Sequence, residues 1–99
     1  MKKYRIDTSA GNAETDIEEI FEFIALDSPQ NAVSWYFKLK EKIQTLETMA
    51  ERCPKAPESE LADFTIYHLI IGNYRVLYRI ENDIVQVLHV RGWGQEHKL

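Results

Sequence analysis

Between Ala13 and Ala25 the apolar positions fall at Ala13, Ile17, Ile20, Phe21 and Ile24, with Ala25 beside them and acids on the other side. Steps of three and four residues paint a single stripe along a helix. Ser9 is placed to cap it, but Gly11 is unfavourable inside a first turn, so the start shifts toward Asn12. The "DSP" at 27–29 opens a second helix. Ser28 suits the N-cap, and Pro29 suits the first helical position, where its missing N–H costs nothing. This helix keeps Ala32, Tyr36, Leu39, Ile43, Leu46 and Met49 on one face, and Pro54 and Pro57 in "ERCPKAPESE" end it. The pattern then changes period. "FTIYHLII" (64–71), "YRVLYRI" (74–80) and "IVQVLHV" (84–90) are rich in β-branched and aromatic residues and read as strands. "KKYRID" (2–7) is a short first strand with Tyr4 and Ile6 on one face.

Gly72–Asn73 makes one tight turn, and a second lies around Glu81–Asp83. The order β-α-α-β-β-β predicts an α+β fold, with two N-terminal antiparallel helices packed on a small, twisted, mainly antiparallel sheet. Isoleucine and valine occupy both parities of the strands, so heavy exposure of either sheet face is costly.

Three arginines interrupt the last two strands: Arg75, Arg79 and Arg91. Alternation puts Arg75, Leu77 and Arg79 on one face. Where Arg91 points depends on the connecting turn. A two-residue Asn82–Asp83 turn pairs Glu81 with Ile84, sets Arg75 opposite Val90 and sends Arg91 to the other face. A three-residue loop, Glu81–Asp83, pairs Ile80 with Ile84, sets Arg75 opposite His89 and brings Arg91 to the same face. Both turns suit the residues, and a slip of one reverses the answer. The three-residue loop is the expected arrangement, because it gathers the charged side chains; a bulge would change the count.

Composition narrows the field of functions. At 99 residues the chain is long enough for one small domain, 1–99. A formal charge of -4 argues against a dedicated nucleic-acid binder. The charge is uneven: residues 9–37 hold Glu14, Asp16, Glu18, Glu19, Glu22 and Asp27 and no Lys or Arg. A locally basic face can therefore coexist with an acidic total. Cys53 is the one cysteine, which excludes an intrachain disulfide and a paired-cysteine metal site. It is compatible with a reducing cytosol, and the expected location is cytoplasmic. No signal peptide or membrane span is recognisable, and no ligand cluster implies a metal or cofactor. In the run Trp35, Tyr36 and Phe37, at least one ring is not expected to be buried in a core this small, which fits a surface for a partner or a second copy, or an ordinary surface aromatic.

"AETDIEEIFEFIALDSPQNA", "LETMAERCPKAPE" and "IGNYRVLYRIENDIVQVLHVR", in this order and spacing, resemble the RelE/ParE superfamily of toxins from bacterial type II toxin–antitoxin modules. The resemblance spans nearly the whole chain. It implies a compact sheet with two N-terminal helices and a cognate antitoxin that wraps the surface, in a toxin–antitoxin hetero-oligomer. Two activities share this scaffold, so the fold does not select between them. RelE-like members enter the ribosomal A site and cut messenger RNA, whereas ParE-like members inhibit DNA gyrase without hydrolysing anything. An inactive homologue that retains antitoxin binding is a third possibility.

Under the nuclease reading the resemblance assigns roles. Arg75 and Arg91 match arginines that hold the cleaved phosphate. His97 stands near the tail position where a tyrosine is common and other members use histidine. It is the side chain best suited to move protons near neutral pH. Glu58 or Glu60 would supply the other proton transfer. Lys55, Tyr74, Arg79 and Trp93 would contact RNA, the aromatic rings by stacking. The attack of a ribose 2′-hydroxyl on its own phosphate needs no metal. The loop lysines typical of RelE-like sites are sparse, with Lys55 alone clearly placed, which favours the gyrase alternative; Arg75, Arg91 and His97 nonetheless form a chemically usable set, and ribosome-dependent RNA cleavage is the expected activity.

Overall fold

The computed structural model describes residues 2–92. Its elements are β1 (Arg5–Asp7), α1 (Ala13–Asp27), α2 (Pro29–Gln44), a single turn α3 (Leu46–Met49), 3-10 turns at Ala50–Arg52 and Pro57–Leu61, β2 (Tyr67–Ile71), β3 (Tyr74–Glu81) and β4 (Ile84–Gly92). The fold is the expected α+β arrangement in the expected order. The four strands form one sheet in the order β1-β4-β3-β2, in which β1 runs parallel to β4 and the other pairs are antiparallel.

The helix boundaries follow their caps. Asn12 precedes α1, and Ser28 both closes α1 and caps α2, accepting a hydrogen bond from the Asn31 N–H at 3.2 Å. Ser9 turns back instead, donating its N–H and hydroxyl to Asp7 Oδ1. The second helix is shorter than its apolar stripe: it stops at Gln44, where the Thr45 hydroxyl donates to the Lys42 carbonyl. Leu46 still reaches the core from the next turn, whereas Met49 is exposed.

One sheet face receives the helices. Leu39, Ile43, Leu46 and Ala50 pack there against Val76, Tyr78, Val85, Val87 and Val90, with Tyr4 and Ala13 closing the ends. The other face is roofed by the segment that runs from Pro54 to Ile66. Ala56 and Ile66 pack on Leu77, flanked by Ala62 and Leu88. Only part of the anticipated strand 64–71 is strand, because residues before Tyr67 belong to this roof. The Ala56 N–H donates to the Ile66 carbonyl at 2.8 Å and the His68 N–H to the Pro54 carbonyl at 3.0 Å. Both sheet faces are thus covered, which accounts for apolar residues in both parities.

The last hairpin departs from the expected register. Asn82 and Asp83, with φ of 50° and 64°, form a two-residue turn, and Glu81 pairs with Ile84. Asparagine and aspartate tolerate this left-handed conformation, which matches the twist of the strands. The three-residue loop is therefore incorrect. A bulge between Leu77 and Tyr78 then shifts the pairing: Tyr78 faces Val87, Leu77 faces His89, and Leu88 has no opposite number. The extra residue brings Arg91 directly opposite Arg75 and onto its face. Turn and bulge each move the pairing by one residue in the same direction, so the partner of Arg75 shifts from the expected His89 to Arg91, while the face it occupies is the expected one.

The bulge is also where α1 is anchored. The Asn12 N–H donates to the Leu88 carbonyl at 2.8 Å, and Asp16 Oδ2 accepts from the Val90 N–H at 3.0 Å. Beyond the end of β1, these groups satisfy the outer edge of β4.

Candidate functional site

Arg75 lies on the roofed face near the open end of the β3–β4 hairpin, only 1% exposed. Its guanidinium makes a two-pronged contact with Glu58: Nη1 donates to Oε1 at 3.1 Å and Nη2 to Oε2 at 2.6 Å. This is the fork geometry in which guanidinium and carboxylate match best. Glu58 has no exposed surface and descends from the 3-10 turn Pro57–Leu61. Arg91 Nη1 stands 3.6 Å from the same Glu58 oxygen. His68 Nδ1 is 3.1 Å from Arg75 Nη1. Because arginine can only donate, that nitrogen is placed to accept. Strands β3 and β4 therefore present Arg75 and Arg91 to one carboxylate from the roof, and β2 sets His68 against Arg75.

The arrangement holds a negatively charged, flat group between two guanidinium groups, and Glu58 is that group in this structure. Both oxygens of Glu58, considered from sequence for proton transfer, accept from Arg75. Glu60, in the same turn, is exposed.

The remaining sequence candidates disperse. Tyr74 lies on the helix-facing side of the sheet, where its ring packs against Trp35 with centroids 5.4 Å apart. Alternation, which joined Arg75 to Arg79, separates Tyr74 from both. Arg79 shares the face of Arg75 but sits two pleats away; it pairs with Glu81 and stacks on the Phe64 ring at 4.4 Å. Lys55 is exposed at the outer edge of β2, bridged through its backbone to Tyr67. Trp93 and His97 lie outside the described residues. His89, adjacent to Arg91 in the alternation, instead meets Asp16 of α1 at 3.3 Å.

Sequence reasoning missed the joint role of Glu58 and His68. His68 was within reach of counting: across the Gly72–Asn73 turn, Ile70 falls opposite Arg75 and His68 opposite Leu77. Nothing local marks Glu58, since its partners are 17 and 33 residues away in a chain whose roof has no repeating pattern.

A second surface feature lies on the helix hairpin. A groove of about 850 Å³ runs between α1 and α2, lined by Ile17, Phe21, Val33, Tyr36, Phe37 and Ile43. Glu14, Glu18 and Lys40 stand at its rim. Phe37 is 64% exposed, which identifies the ring of the aromatic run that the core does not take. Among the described residues, no group of His, Cys, Asp and Glu could hold a metal ion, and no helix is long and apolar enough to cross a membrane.

A helical hairpin packed on a small mixed sheet is the architecture that the resemblance to the RelE/ParE superfamily of toxins implied. Residues 10–95 match the family model described as the ParE toxin of type II toxin–antitoxin system, parDE, and the chain belongs to that family. It is the toxin component of a toxin–antitoxin module of the ParE/RelE kind. Among solved structures, one described as the chromosomal ParDE TA system from P. aeruginosa is similar over 91% of this chain and 96% of that one. The TM-score is 0.71 at 15% sequence identity, a likeness of fold. A search of curated proteins finds no significant match.

Proposed function

We propose that this toxin acts by binding DNA gyrase and not by cutting RNA, and that a cognate antitoxin neutralises it. The observation that carries this reading is the burial of Arg75 beneath Glu58. A phosphate-clamping arginine must meet its substrate, whereas with the Pro57–Leu61 turn closed this one is covered by the roof and already matched to a carboxylate. The family match is to ParE toxins, and the sparse loop lysines point the same way. Purified toxin should inhibit supercoiling by gyrase, and added antitoxin should restore it. Uninhibited gyrase at saturating toxin overturns the reading.

The antitoxin is expected in the groove between α1 and α2. Its apolar floor and the exposed Phe37 suit an amphipathic segment, and the acids at the rim favour basic residues flanking that segment.

One observation favours ribosome-dependent RNA cleavage as the second reading: Arg75 and Arg91 stand directly opposite each other on one face. In that case both would hold the scissile phosphate, His97 would move protons, and Lys55, Tyr74, Arg79 and Trp93 would contact RNA on the ribosome. Controlled expression, with mRNA truncation and plasmid supercoiling read from the same cells, separates the two.

A further inference from the structure

Within the roof turn Pro57–Leu61, Glu58 is the one buried residue. Pro57 and Glu60 are exposed, and Leu61 points largely into solvent. The apolar grip of the roof lies elsewhere, at Ala56 and Ile66. The Ile66 N–H to Ser59 Oγ bond at 2.9 Å joins the turn to the roof, and the roof's backbone bonds to the sheet lie before the turn, where the His68 N–H donates to the Pro54 carbonyl. Among the described residues, the tie from this turn to the strands is ionic: the Glu58 carboxylate set on Arg75 and Arg91.

A guanidinium fork grips a carboxylate and a phosphate through the same pair of parallel N–H donations. We propose that Glu58 is an intramolecular occupant of an oxyanion seat formed by Arg75 and Arg91, so that the seat takes an external phosphate-class anion only when the Pro57–Leu61 turn lifts. The contact is autoinhibitory: the carboxylate is tethered to the seat and competes at high effective concentration with any free anion. The lift has natural limits. Ala56 and Ile66 on either side can stay packed on Leu77 while the five residues of the turn swing out. The inference concerns occupancy of the seat and stands whether or not gyrase is the target.

The full-length toxin tests it in two ways. In the wild-type protein, inorganic phosphate at constant ionic strength should capture the lifted turn. Amide hydrogen exchange across Ser59–Ala62 should then rise in proportion to phosphate, while exchange in β3 stays fixed. In E58Q, which keeps the volume and removes the charge, calorimetry should show phosphate binding at least tenfold tighter than wild type. The further change Arg75→Met should abolish it. A deoxydinucleotide with one phosphodiester, titrated in parallel, distinguishes a nucleic-acid backbone from a small free anion as the source. Equal phosphate affinity in E58Q and wild type overturns the proposal. So does exchange in the wild-type turn that phosphate leaves unmoved, a result that does not depend on any variant folding.

Discussion

Glu58 and Arg75 illustrate how much one buried pair can demand of a small protein. Each is removed from water, and each compensates the other's lost hydration. Removing the charge from one partner leaves the other buried without its match. E58Q should therefore lower unfolding free energy by about 3–5 kcal/mol, measured by urea denaturation. That is large against the 5–15 kcal/mol typical of a whole domain. Tyr78 provides a test with the opposite pH dependence from a carboxylate. Its hydroxyl donates to the Ala50 carbonyl at 2.5 Å, and burial, with Cys53 nearby, pushes its ionisation well above the ordinary value. The neutral hydroxyl is thus favoured in the folded state. Its contribution is complete below the unfolded value near 10 and declines as pH rises beyond it. Y78F should lose about 1 kcal/mol at pH 8 and show a shallower loss than wild type between pH 10 and 11. At this scale the sequence was partly legible. Arg75 and Arg91 stood out as charges in apolar strands, but the acid that meets them did not, because long-range ion pairs leave no periodic trace.

Among the elements, α1 shows how a helix is fixed at its start. Gly11 approaches the bulge so closely that a Cβ there would lie 2.7 Å from the Leu88 carbonyl oxygen and 2.9 Å from Leu88 Cα. Both neighbours are backbone, so they cannot step aside as a flexible side chain would. G11A should cost about 1–3 kcal/mol and lower the melting temperature, with the loss of protection at the Asn12 amide in hydrogen exchange as its signature. Sequence reasoning set Gly11 outside the helix on propensity alone, which was the correct position for an incomplete reason. The helices and the three C-terminal strands were legible because caps, prolines and period changes are local signals. The roof was not: residues 64–66 share the strand composition, but the backbone of Ile66 is engaged by Ala56 and Ser59 and not by the sheet.

For the molecule as a whole, the parallel pairing of β1 with β4 joins the two ends of the described chain, and no local pattern announces it. The apolar helix groove is the counterpart on the outer surface, and its role is testable without disturbing the fold. F37A removes a ring that is mostly exposed, so the melting temperature should stay within a degree or two of wild type. Antitoxin affinity should fall at least tenfold by calorimetry, as expected when an aromatic anchor is lost. The hairpin bulge also has a consequence for changes in chain length. With Leu88 unpaired, β4 carries one residue more than β3 needs, nine against eight. Deleting Leu88 should leave a regular ladder in which Arg75 still faces Arg91, while the attachment of Asn12 is lost. Such a deletion variant should melt lower yet keep its arginine pair, visible as retained protection of the Arg75 amide. Adding a second residue beside Leu88 should instead exchange the sheet faces of everything that follows. Through this one position, β4 can shorten over evolutionary time without a compensating change in its turn, but it cannot lengthen as freely.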